Sequence, residues 1–114
     1  MIMAHPKSID YKNDEIALAR IAKALGHPAR IAIMKHLAAM ADSCFTDILN
    51  ELPIAQSTVS QHLNELKDAG LIRGNLEPPK VMYCIDPKSW KIAQELFHNF
   101  LNELKDGGKN SKCC

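Results

Sequence analysis

Two groups of side chains in this chain of 114 residues can do chemistry: four cysteines and one polar helix face. Cys113 and Cys114 are adjacent, and neighbouring Cα atoms lie about 3.8 Å apart across a trans peptide. Disulfides need roughly 4.4 Å or more, so the pair is read as two free thiols on one spot. Soft thiolates select soft or borderline ions and, by the same logic, thiophilic metalloids. Lys109 and Lys112 favour the thiolate forms. The plain alternatives are a tail pair with no role or an end-of-chain lipidation signal. Cys84 sits in a strand-like stretch and reads as a small apolar filler. Cys44 stands open between core filler and third ligand.

The polar face belongs to QSTVSQHLNELKDAGLI, residues 56–72. With Val59, Leu63 and Leu66 turned inward, the opposite side shows Gln56, Ser57, Ser60, Gln61 and Asn64. Thr58 and His62 flank it. Gln pairs with adenine in the major groove, and Ser or Thr bonds bases or phosphates. The first turn of a recognition helix meets base edges, so Gln56, Ser57, Ser60 and Gln61 are the expected readers, with His62 a phosphate contact. Arg73 and Lys80 flank a hairpin and can reach phosphate or the minor groove. Arg30 can hold a phosphate or an internal carboxylate. A solvated helix face and simple exposed charges are the bland readings of the same residues.

Composition limits these options. Fourteen Lys and Arg stand against 13 Asp and Glu, a net charge of +1, so DNA contact needs a local patch. No nucleophile–base–orienter pattern and no Gly-rich phosphate loop appears, which argues against an enzyme. No apolar run approaches the roughly 18 residues of a membrane span. The opening MIMAHPKSID lacks a signal-peptide pattern, so a cytoplasmic protein is expected.

The positioning elements read as follows. Residues 1–11 form a loose extension. A first helix from about Lys12 carries Ala17, Leu18, Ile21 and Leu25 and stops at Gly26. Pro28 opens a second helix with the stripe Ile31, Met34, Leu37 and Ala38. Thr46 can cap a short third helix ending at Pro53. The fourth spans about 56–69, where Gly70 fits a left-handed stop with Leu71 folding back on Leu66. Strands at 71–76 and 80–85 flank Glu77-Pro78-Pro79. A last helix from about Pro87 to Lys105 carries Trp90, Ala93, Phe97, Phe100 and Leu104, a seam suited to a partner helix. Residues 106–114 form a mobile tail.

KALGHPARIAIMKHL (23–37), STVSQHLNELKDAGLI (57–72) and the hairpin ending Val81-Met82-Tyr83 together resemble the ArsR-type (ArsR/SmtB) metalloregulator family. The resemblance covers roughly 12–105. It implies a mainly α winged helix-turn-helix with a small β-hairpin, ordered α1-α2-α3-αR-β1-β2-α5. It also implies a homodimer through the first and last helices, here Leu18 and Ile21 with Trp90, Ala93, Phe97, Phe100 and Leu104. Where the family often has a hydroxyl residue this chain has Ala55, so capping of the recognition helix passes to Ser57.

The family's effector sites match unevenly. Its C-x-C pair on the third helix is half present, as Cys44 with Thr46 in the second position. Its zinc-type site on the last helix finds only Asp86 and a lone His98. Cys113 and Cys114 resemble the thiol pairs that some arsenic-responsive members carry elsewhere, and can grip one As(III) with little loop-closure cost. Cys44 or Cys84 can supply a third thiolate. The resemblance thus implies a repressor that leaves a palindromic operator when arsenite or methylarsenite binds. A thiol redox switch, or no small effector, is the alternative. A protein-interaction module using the aromatic seam is a further one.

Few cations lie on or beside the reading face. Operator affinity, measured by fluorescence anisotropy across a salt series, should therefore show a shallow log–log slope compared with strongly basic binders; a steep slope would mean that cations elsewhere contact the DNA.

Overall fold

In the computed structural model, which describes residues 11–40 and 42–104, five helices and three short strands follow one another along the chain. Helix α1 (Asn13–Ala24) carries Asp14 and Glu15 in its first turn, where carboxylates suit the positive end of the helix dipole. Glu15 Oε1 also accepts from the Lys12 amide at 3.1 Å. Helix α2 (Pro28–Met40) begins at proline, whose missing N–H costs nothing at a helix start. A short strand β1 (Asp42–Cys44) leads into α3 (Phe45–Asn50). Then come α4 (Gln56–Asp68), β2 (Ile72–Glu77), β3 (Lys80–Ile85) and α5 (Pro87–Glu103). This is the winged helix-turn-helix order that the resemblance implied.

The sheet is antiparallel with β3 central, in the order β1-β3-β2. Ile72 faces Ile85 and Gly74 faces Tyr83 across β2–β3, while Ser43 faces Tyr83 across β1–β3. Strand β1 was not expected: three residues, Asp-Ser-Cys, carry no alternating pattern, and pairing with β3 alone makes them a strand. Its arrival also moves the start of α3. Cys44 is the N-cap residue, with no side-chain cap, and Thr46 lies inside the helix rather than capping it.

The core lies where α2, α3 and α4 meet. Ile33, Leu37, Ile48, Val59, Leu63, Leu66, Leu71 and Ile72 are each 2% exposed or less. The α4 stripe is as expected, but α2 turns differently. Ile31 is 43% exposed, and Ile33 takes the inner place beside Met34 and Leu37. Helix α2 is apolar nearly all round, so periodicity does not choose its phase; packing against α4, β1 and β3 does.

The stop after α4 is a Schellman motif. The Leu71 amide donates to Leu66 O at 3.1 Å and the Gly70 amide to Lys67 O at 2.9 Å, with Gly70 at φ +82°. A Cβ there would meet only Ser89 Oγ at 3.8 Å, so the constraint is backbone conformation rather than space. Gly70→Ala should lower the unfolding free energy by about 1–2 kcal/mol, read from the urea midpoint; an unchanged midpoint would show that the turn relaxes without strain.

Candidate nucleic-acid interface

Helix α4 starts at Ala55, which caps through backbone alone. Its carbonyl accepts from the Thr58 and Val59 amides, both at 3.0 Å. Ser57 sits in the first helical turn and is not the cap. The entry angle is set instead by Ile54 and Val59, which hold the two positions of a hydrophobic staple and both pack in the core.

Gln56, Ser57, Gln61 and Asn64 are exposed along α4, and Thr58 and Ser60 are half-buried. A cleft of about 460 Å³ separates this helix from the hairpin. One wall is Gln56, Ser60 and Asn64, spaced four apart on one helix face; the other is Pro79, Lys80, Val81 and Tyr83. Thr46 and Cys44 close its floor. The fold thus brings Gln56, Ser60 and Lys80 to one cleft, while Ser57 and Gln61 lie exposed on α4 outside it. Arg73 does not join them. It faces Cys84 near the base of the hairpin, whereas Lys80 faces Glu77 at the tip. Tyr83 and Thr46 are additions to the expected set, and Asn64, already placed on the polar face by its four-residue spacing from Ser60, joins the cleft. The Tyr83 ring lies over Gly74, where a Cβ would come within 3.2 Å of Cε1. Burial pushes the Tyr83 phenol up, so it stays a neutral hydroxyl.

His62 is a correction. It does not flank the polar face: it is 6% exposed, on the same side as Val59, Leu63 and Leu66. Its spacing of three from Val59 and four from Leu66 is core spacing. Arg30 Nε donates to His62 Nδ1 at 2.9 Å. An arginine only donates, so His62 Nδ1 bears the lone pair and the ring proton sits on Nε2. That buried N–H has no partner among the described residues, a cost of about 1–3 kcal/mol. Among the described residues Arg30 holds no carboxylate; its Nε is committed to His62. Its Nη1 also reaches the end carbonyls of α1, Ala24 O at 3.2 Å and Lys23 O at 3.5 Å. The His27 ring lies 4.4 Å from that of His62, centre to centre. Burial first, and then the charges of His27 and Arg30, hold the His62 pKa below its usual value.

The thiol and interface residues divide as follows. Cys44 is buried, and its Sγ donates to Asp47 Oδ2 at 3.3 Å. Cys44 faces Met82 and Cys84 faces Asp42, so the two cysteines are diagonal neighbours on one sheet face, roughly 7–8 Å apart. Cys113 and Cys114 lie outside the described residues. Among the described residues, no group of three or more His, Cys, Asp and Glu is placed to hold a metal ion. Asp86 caps α5 by accepting from the Lys88 and Ser89 amides, each at 3.1 Å, and His98 pairs with Asn102. Of the seam on α1 and α5, Ile21 and Ala93 are core residues within one chain, a correction to their interface role. Leu18, Trp90 and Phe97 are half-buried, and Phe100 and Leu104 stay exposed.

Known proteins bear on this site. The family model for "Bacterial regulatory protein, arsR family" matches residues 27–73. An HTH-type transcriptional regulator of Methanocaldococcus jannaschii is 44% identical over 77 residues, 67% of this chain and 86% of that protein. The HTH-type transcriptional repressor SmtB of Mycobacterium tuberculosis is 36% identical over 95 residues, and the match spans 83% of this chain but 65% of SmtB. A cadmium resistance regulator, a CadC homologue of Staphylococcus aureus, is 29% identical over 84 residues, 74% of this chain and 69% of that protein. Among solved structures, the repressor PagR of Bacillus anthracis superposes with a TM-score of 0.56 at 29% identity, over 81% of this chain and 99% of PagR.

The buried His62 makes stability depend on pH. Unfolded, the ring takes up a proton near its usual pKa of 6.5; folded, it resists doing so. Its contribution is complete above that pH and is lost as pH falls below it. Urea midpoints should thus decline on acidification, and His62→Gln, an acceptor for Arg30 that cannot gain a proton, should reduce the decline. Equal slopes in the two proteins would assign the effect to another group.

Proposed function

The chain belongs to the arsR family of bacterial regulatory proteins, as a DNA-binding transcriptional repressor rather than an enzyme, and we propose that its effector is a trivalent arsenical held by cysteine thiolates. DNA is read by α4. Gln56, Ser57, Thr58, Ser60 and Gln61 meet bases and adjoining phosphates, Lys80 reaches the backbone from across the cleft, and Arg73 makes a separate contact at the base of the wing. The exposed polar face of α4 beside the wing is the observation that carries this reading. Two copies join through α1 and α5, burying Phe100 and Leu104, which are 42% and 55% exposed in one chain. A two-fold dimer then favours a palindromic operator with half-sites about one helical turn apart.

A relative named for cadmium resistance supports a thiophilic effector of metal type. The chain's own thiols point to arsenite or methylarsenite. Cys113 and Cys114 form the two-thiol grip, at the end of residues 106–114, and Cys44 is the third donor once it gives up its bond to Asp47. Capture of the tail shifts the dimer away from its DNA-bound arrangement, through coupling of the usual 1–3 kcal/mol.

Fluorescence anisotropy of the reduced protein on its own upstream DNA tests this. Arsenite should release the DNA and zinc should not. Cys113→Ser should bind DNA as before and no longer release it. Release by peroxide, reversed by reductant and with no response to arsenite, would replace the arsenical with a redox switch of the same thiols.

A further inference from the structure

We propose that His27, Arg30 and His62 form a proton-operated latch that positions the recognition helix for DNA. The latch rests on DNA binding by α4 and is independent of the effector. Its geometry joins three elements through one side chain. Arg30 stands on α2, donates from Nε to His62 of α4 at 2.9 Å, and donates from Nη1 to the last carbonyls of α1. Helix α1 in turn packs on α5, its partner in the proposed dimer. The angle between the dimer helices and α4 is therefore set partly by this guanidinium. From the turn before α2, His27 lies with its ring 4.4 Å from that of His62, its own Nδ1 accepting from the Ala29 amide at 2.9 Å.

The latch closes only while His62 is neutral. A proton on Nδ1 replaces its lone pair with a second N–H aimed at Arg30 Nε–H, and sets two cations side by side with little water between them. Among the described residues nothing bonded to the ring compensates; Glu65, one turn on along α4, is exposed and makes no bond to it. His27 and Arg30 are the titratable and charged groups facing the ring from the α1–α2 turn and α2. Helix α1 carries Arg20 and Lys23, both exposed, and β2 carries Arg73 and Glu77, also exposed. Asp47 of α3 is taken up by Cys44, and among the described residues no carboxylate bonds the ring. Protonation must then swing the ring or Arg30 outward, freeing α4 from the end of α1. His62 and Arg30 are positioning residues: their side chains act on DNA through α4.

The test combines affinity and exchange. Affinity for the protein's own upstream duplex is measured from about pH 7.5 to about pH 5.5, the range in which histidine changes charge. Amide exchange along α4 is followed in the free protein over the same range, corrected for intrinsic rates. Wild type should lose about tenfold in affinity, within the usual span of allosteric coupling, and its α4 amides should lose protection. This direction opposes the general rule that added positive charge tightens phosphate binding. His62→Gln should bind at about pH 7.5 and keep its affinity and protection in acid. Unchanged or tighter wild-type binding in acid, or an equal loss in both proteins, overturns the latch. Should His62→Gln fail to fold, the wild-type ring titration by NMR decides: protonation of His62 without loss of α4 protection overturns it. The exchange readout needs no DNA. A protein that binds none at the higher pH would count against the operator reading, while exchange alone still upholds or overturns the latch.

Discussion

The functional surface of this domain depends on the burial of one stripe of α4. Val59, Leu63 and Leu66 are 0–1% exposed and meet Leu37 and Ile33 of α2 and Ile48 of α3 in the core. Each fully buried aliphatic side chain contributes about 1.5–3 kcal/mol, enough to forbid rotation of the helix about its axis. Because that rotation is forbidden, Gln56, Ser60 and Asn64 must face the cleft and Gln61 must face water. The Schellman stop at Gly70 then sends the chain directly into β2, which places the wing on the other side of the same cleft.

His62 shares that buried stripe and is its one polar member. An apolar residue would fill the same space without an unpaired N–H. The histidine instead gives Arg30 an acceptor in the middle of α4, and Arg30 ties this point to the end of α1. A polar contact inside an apolar seam sacrifices some stability for a defined alignment of two helices. Helices α4 and α1 are thus joined by this contact as well as by the common core.

The thiols are arranged on a different principle. Cys44 and Cys84 sit on the small sheet, one donating to Asp47 and neither in reach of a disulfide with the other at their diagonal spacing. Cys113 and Cys114 are adjacent in the chain and lie outside the described residues. In the proposed sensor, affinity comes from that adjacency along the backbone.

Local chemistry made several features legible in the amino-acid sequence alone. The Leu66–Gly70–Leu71 stop, the proline start of α2, the hairpin and the inner face of α4 all follow from spacings of a few residues, because helix period and left-handed glycine are short-range constraints. The order of elements came through the resemblance to the ArsR-type family. Tertiary packing decided what those constraints leave free. Helix α2 is apolar almost all round, so only its neighbours could place Ile33 inside and Ile31 outside. Asp42–Cys44 became a strand only because β3 lay beside it. Ile21 and Ala93 went to the core of one chain because α1 lies against α5. His62 had core spacing from the start, but its partner lies 32 residues away on another helix. A contact of that separation is visible only when the chain has folded.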